Sequence, residues 1–302
     1  MKHPLFKSIA EAHRTMGLPA PRHPLISLVG SAQVASVPHP LQGSHVLNFY
    51  KISYNPNAGG RLRYGHHHFD FDEGGLLFAA PNQVVGQYDE EEDGSDNCSL
   101  YALLIHPDFF LGYPLAREIR SYGFFSYATN EALHLSEEEK SIVVSIFEMI
   151  AQELNSRIDD FSQDVVIAQI GLLLNYANRF YKRQFITRKS VNNEVLQKID
   201  DLLQSWFDDA LNTGLPTVRY LADAVHLTPN YLSDMLRAQV GQSAQHYIHG
   251  KLIERAKELL SATGLTVSEV AYALGFEHTQ SFSKLFKAKT NLSPLEFRKA
   301  FN

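Results

Sequence analysis

The last third of the chain repeats itself, and a repeat ties two stretches of sequence to one local fold. Leu221, Ala222, Ala224 and Val225 recur 49 positions later as Val270, Ala271, Ala273 and Leu274. Beyond the turn the offset becomes 50: Leu232 answers to Phe282, Leu236 to Phe286, Ser243 to Ser293 and Tyr247 to Phe297. Two such helical units, one with an extra residue in its turn, suit a device that presents equivalent helices to a periodic partner.

Each unit reads as a helix, a tight turn and a second helix. In the second copy Thr266 and Glu269 have the spacing of a capping box ahead of the apolar run Val270, Ala271, Leu274. Gly275 then supplies the left-handed backbone that a sharp turn needs, at no steric cost. In the first copy Thr217 caps a helix beginning at Val218, and Thr228 with Pro229 opens the next. Leu232, Met235 and Leu236 fall at helical spacing, as do Phe282, Leu285 and Phe286, so both second helices turn these residues to a core.

The opposite face carries the chemistry. The second copy presents Thr279, Gln280, Ser281, Ser283, Lys284 and Lys287, which are hydrogen-bonding groups and cations without a large apolar side chain among them. Such a surface fits the major groove of double-stranded DNA, where amides and ammonium groups meet base edges and phosphates. The first copy presents Asn230, Tyr231, Ser233, Asp234 and Arg237, polar but less basic. Asp234 either accepts from a cytosine amino group or pairs with Arg237, and the spacing of three favours the pairing. Between the copies, Gln245 to Ala262 reads as a linker helix with Ile248, Leu252, Ala256, Leu259 and Leu260 on one stripe. Gly250 inside it costs about 1 kcal/mol relative to alanine.

The run Gly275-Phe276, Phe282, Phe286-Lys287, Pro294 and Phe297-Arg298 resembles, in residue type and spacing, the C-terminal signature of AraC-type transcription regulators. The resemblance covers about the last hundred residues. It departs at Asn291, where the family commonly has glycine, and at Leu236-Arg237, where Phe-Lys is usual. It implies two helix-turn-helix units held by the linker helix so that the reading helices enter successive major grooves, about 34 Å apart. Such regulators can also engage RNA polymerase, which the resemblance admits as a further partner.

The first half differs in texture. Short apolar or alternating runs from His45 to His106 are separated by the turn clusters NPNAGG, DEGG, PN and DEEEDGSDN, a pattern of β-sandwich or barrel. YGHHHFDFDEGGLLFAAPNQV resembles the cupin-like, jelly-roll sensor domain of many AraC-type regulators, which implies a small-molecule effector inside the barrel. The expected fold is therefore α+β: an N-terminal cupin-like β-barrel (jelly roll) with flanking helices, then a C-terminal all-α double helix-turn-helix domain. Domain bounds of 1–183 and 194–302 follow, with the polar stretch 184–193 as linker. Further on, Ser136 and Glu139 make another capping box. A long helix near Asp160 to Gln184 carries Val165, Ala168, Leu172, Leu173, Tyr176 and Phe180, enough apolar surface to cover a sheet and to form the antiparallel homodimer contact the resemblance implies.

His66 and His68 would share one face of a strand, with Glu73 downstream, which raises a metal-dependent cupin enzyme as the alternative function. The spacing is wrong for that motif's inner strand, because an acidic turn follows at once, so no metal or other cofactor is assigned. Arg61, Arg63 and Tyr64 fit either an anionic effector or ordinary surface alternation. The acidic run at 89–93 reads as a solvated loop, and Cys98 as a small packed side chain. No catalytic triad, phosphate loop or zinc-helix motif is present, so a non-enzymatic protein is expected. A helix-turn-helix pair serving protein interaction would want an apolar centre on its outer face, which this one lacks.

Charge narrows the reading. At 302 residues and 44% hydrophobic the chain can bury two cores, and its net charge is −6. From Leu215 to Asn302, however, ten Lys and Arg face seven Asp and Glu, a net of +3, and residues 278–302 hold five cations against Glu296 alone. Positive charge is thus concentrated where the second reading helix should meet phosphate. No apolar run approaches a membrane span and the first residues lack a signal peptide's apolar core, so a cytoplasmic location without membrane contact is expected.

Overall fold

A computed structural model of the chain describes residues 4–30, 33, 45–56, 63–64, 67–68, 74–85, 100–128, 131–156, 159, 161–208 and 214–300. It divides into two compact units, Met1–Gln184 and Phe185–Asn302. The first is mixed α and β, the second helical.

In the first unit β10 (Leu133–His134), β7 (Gly75–Ala79), β4 (Tyr50–Asn55), β9 (Tyr101–Ile105) and β2 (Ile26–Gly30) form an antiparallel sheet in that order. A second sheet orders β1 (Leu5–Phe6), β3 (His45–Leu47) and β8 (Val84–Val85), and β5 (Arg63–Tyr64) pairs with β6 (His67–His68). Side chains alternate across a strand, so Tyr50, Ile52 and Tyr54 share one face of β4 and Lys51, Ser53 and Asn55 the other. Aromatic rings cover the first face: Tyr50 meets Phe110 and Phe125 edge-on, and Phe78 lies 4.5 Å from Phe124. On the second face, Phe6, Ile9, Ala12, Leu47, Phe49 and Leu104 form one buried cluster, to which α1 (Ile9–Thr15) contributes.

Among the described residues these strands do not close the cupin-like barrel expected from the sequence. The segments that would decide it, with His66, Glu73, Arg61, Cys98 and the acidic run 89–93, lie outside the described residues. Of His67, His68, Arg63 and Tyr64 only the strand backbone is described.

After α2 (Leu115–Glu118), the helical part of this unit is α3 (Glu137–Asn155) and α4 (Ser162–Thr187). Ser136 and Glu139 form the expected capping box, and Glu139 does more. Arg183 donates Nε and Nη2 to its two carboxylate oxygens, both at 2.7 Å, and Nη2 also reaches the His134 carbonyl. Such a planar two-bond fork is stronger and more directional than a single ion contact. Gln184 accepts from His134 N–H at 2.8 Å and donates to the Ala132 carbonyl, so the end of α4 is fastened to the edge strand β10.

The second unit begins within α4 and continues as α5 (Lys189–Asp208), α6 (Val218–Ala224), α7 (Pro229–Val240), α8 (Ala244–Ala262), α9 (Val267–Ala273), α10 (Thr279–Thr290) and α11 (Pro294–Lys299). The stretch 184–193, expected as a linker, is helical on either side of Arg188. Helix α8 packs against both repeats and buries Ala244, Ile248, Leu252, Ile253, Ala256 and Leu260. No helix among the described residues is long and apolar enough to cross a membrane.

Candidate nucleic-acid interface

The repeat is expressed in backbone as well as side chains. Thr217, Thr228 and Ser243 each accept a backbone N–H in the first turn of α6, α7 and α8, while Thr266 with Glu269 and Ser293 with Glu296 complete capping boxes on α9 and α11. The amide bond from Thr266 holds the Glu269 carboxyl below its ordinary range, and the amide of Ser293 does the same for Glu296. Both turns close alike: Leu227 N–H donates to the Ala222 carbonyl at 2.9 Å and Phe276 N–H to the Ala271 carbonyl at 3.0 Å. The left-handed residue ahead of each donor is Gly275, φ +86°, in the second copy and His226, φ +58°, in the first. The C-caps match too, with Gly241 at φ +73° and Asn291 at φ +61°.

With the backbones aligned, the outer faces can be compared position by position. Gln280, Lys284 and Lys287 lie at i, i+4 and i+7 of α10, one stripe of a helix, and all three are exposed. Ser281 is exposed beside them, while Thr279 and Ser283 are half-buried at the edge. Phe282 and Phe286 are fully buried on the opposite side, with Phe286 packing on Phe297. In α7 the same stripe is Asn230, Asp234 and Arg237. Arg237 Nη1 sits 2.5 Å from Asp234 Oδ1, so the two charges of this stripe neutralise each other. One copy thus offers an amide and two cations, the other an amide and an ion pair.

Two residues expected on the first reading face lie elsewhere. Tyr231 is 6% exposed and its ring meets Phe185 at 5.0 Å in a T-shaped contact, whereas Ser281 at the equivalent position is open. Phe185 is held in turn, since its carbonyl accepts from Asn192 Nδ2 at 2.7 Å and Gln239 Nε2 at 3.1 Å. The helical entry to this unit therefore covers one flank of the first copy, and nothing in a local pattern marks it. Ser233 is half-buried and accepts from the Ala244 N–H at 3.2 Å, tying α7 to the start of α8.

Other polar residues also have architectural work. Tyr247 donates its hydroxyl to Asp200 on α5 at 2.6 Å, and Lys251 lies 3.2 Å from the same carboxylate. Burial and the Asp200 bond push the Tyr247 phenol well above its usual range, so it stays a neutral donor. Arg298, part of the signature shared with the family, donates Nε to the Leu260 carbonyl at 3.2 Å and Nη2 to the Leu265 carbonyl. It closes the end of α8, where helix carbonyls lack partners. Among the described residues no group of His, Cys, Asp and Glu is arranged to hold a metal ion.

Comparison with known proteins places this helical unit. Residues 221–300 match a helix-turn-helix domain family. The arabinose operon regulatory protein of Escherichia coli K12 is 38% identical over 113 residues, covering 36% of this chain and 39% of that protein. An uncharacterized HTH-type transcriptional regulator of the same organism, YijO, is 31% identical over 106 residues, 35% of this chain and 37% of the relative. The solved C-terminal domain of AraT, a response regulator from Geobacillus stearothermophilus, shares 27% identity over 35% of this chain and 84% of its own, with a TM-score of 0.32. The C-terminal unit is an AraC-type helix-turn-helix domain. The chain spans less than half the length of these two curated relatives.

Proposed function

We propose that this chain is a sequence-specific DNA-binding transcription regulator whose reading helices α7 and α10 enter successive major grooves of one duplex face. The supporting observation is the pair of matched outward stripes, Asn230/Asp234/Arg237 and Gln280/Lys284/Lys287, on two helices mounted on α8. Gln280 carries base discrimination and the two lysines carry phosphate affinity, while the first copy contributes Asn230 and Arg237. The arabinose regulator in the comparison supports the same reading for a chain with this domain. Selection of bound sites from random duplexes tests it. The expected product has two conserved blocks about one helical turn, 10 to 10.5 base pairs, apart. Enrichment of a single block, or none, would overturn the two-groove reading.

The N-terminal unit acts as sensor of a small molecule and as dimer contact in this proposal, and RNA polymerase is the further partner of such a regulator. For the dimer, α4 divides its apolar residues by face. Leu173 and Phe180 are core, while Val165, Ala168 and Leu172 are exposed, with Phe161 just ahead at 71% exposure. These four lie at i, i+4, i+7 and i+11, a continuous stripe that water solvates poorly. A second copy laid antiparallel would cover it. Leu172→Asp is expected to raise the dimer dissociation constant roughly a hundredfold, since it puts a charge at the centre of the stripe. Its melting temperature should hardly change. Sedimentation equilibrium showing an unaltered dimer would remove the contact from α4.

A further inference from the structure

Lys51 occupies an unusual place for a lysine, on the central strand of the five-stranded sheet. Its register partners are Leu104 on one side and Ala79 on the other, both buried, and Leu104 belongs to the apolar cluster of Phe6, Ile9, Ala12, Leu47 and Phe49. Ser53 follows two residues on along the same face. Ser27 lies beyond Leu104 in the same row, and both serines are buried. The ammonium has no hydrogen bond or ion pair with any described residue, and burial lowers its pKa. Yet Lys51 is not fully shielded from solvent. A side chain set so deep that still meets solvent-sized space borders an opening within the unit. An uncompensated charge there costs stability, because a desolvated ammonium loses its water without gaining a counter-ion.

Apolar walls with one or two hydroxyls and a single cation have the anatomy of a site for a small amphiphilic anion. We infer that this face of the sheet binds a small, largely apolar carboxylic acid, with the carboxylate at Lys51 Nζ and the hydrocarbon part against Leu104 and its cluster. The inference rests on the sensor reading of the N-terminal unit and gives that sensor its ligand class. The carboxylate would supply the counter-charge the fold leaves out, so ligand and lysine stabilise each other on binding. Neutral sugars and amines would leave the ammonium uncompensated.

Thermal melts of the full chain with benzoate and hexanoate, each against its uncharged amide, provide the test. Near a hundredfold excess over the dissociation constant, at least one acid is expected to raise the midpoint by about 5 °C, and its amide to do much less. Lys51→Met should weaken acid binding at least about tenfold while leaving the effect of the amide unchanged. The unliganded variant should melt no lower than the parent, because the substitution removes an unpaired buried charge, and retained binding of the selected DNA reports that it is folded. Equal shifts by acid and amide, no shift by either acid, persistence of the acid effect in the variant, or a markedly lower unliganded midpoint each overturns the site. Acid binding that leaves DNA affinity unchanged would instead sink the sensor reading and keep the site. DNA affinity that responds to neutral sugars but not to acids would do the reverse.

Discussion

Gly275→Ala is expected to destabilise the C-terminal unit by at least about 3 kcal/mol and to lower its midpoint by about 10 °C or more. Two separate causes act on one atom. The backbone there has φ +86°, where a Cβ meets the following carbonyl and costs about 1–2 kcal/mol. That Cβ would also lie 2.1 Å from the Gly214 carbonyl oxygen and 2.5 Å from its carbon, which are backbone atoms and cannot swing aside. Since the Gly214 carbonyl accepts from Trp206 Nε1 at 3.4 Å, moving it disturbs the end of the preceding segment as well. The chain has a single tryptophan, so its fluorescence follows this unit during urea or thermal unfolding of the whole protein. The equivalent residue of the first copy provides the control. His226 holds φ +58° without glycine, and His226→Gly should change stability by less than about 1 kcal/mol, relief of backbone strain offsetting the glycine's entropy in the unfolded chain. An alanine at 275 that melts within a degree of the parent would mean that the close approach of Gly214 is absent.

That asymmetry marks the limit of what the sequence could disclose. Both capping boxes of the second copy, the threonine caps of the first and the buried Leu232, Met235, Leu236, Phe282 and Phe286 are legible because they depend on partners three or four residues away. The Asp234–Arg237 pair is of the same kind. What covers a helix from outside has no such signature. Tyr231 matches the exposed Ser281 in position, and only Phe185, 46 residues earlier, removes it from the surface. The closeness of Gly214 to Gly275 is equally non-local, so glycine there has a second reason that turn chemistry alone does not reveal. Arg298 was visible as part of the signature, but its role as closure of α8 needed the carbonyls of Leu260 and Leu265 to be placed. In the N-terminal unit, short runs and turn clusters indicated strands, while sheet order depends on pairings between distant segments. Lys51 went unnoticed because a lysine within an alternating strand ordinarily points to water.

The double variant Lys284→Ala/Lys287→Ala should produce the largest change in DNA binding, and its size follows from counter-ion release. Each cation that replaces a condensed ion on a phosphate contributes about 0.9 to the slope of log affinity against log salt, so loss of two contacts should flatten the slope by about 1.8. Near 0.1 M salt this corresponds to roughly fiftyfold weaker binding to the selected site. Both side chains are exposed on the stripe opposite Phe282 and Phe286, so far-UV dichroism and the unfolding midpoint should be retained. Arg237→Ala makes the comparison informative. Its guanidinium is already engaged by Asp234 at 2.5 Å, so the stripe it leaves exchanges a neutral pair for a lone carboxylate rather than surrendering a free cation. Removing it should flatten the slope by about half a unit or less, with its main effect on base preference at one position, because a guanidinium braced by a carboxylate is set for the paired acceptors of guanine. Equal slopes in parent and double variant would show that α10 does not touch phosphate. A larger slope change from Arg237 than from the two lysines would transfer the electrostatic role to the first copy.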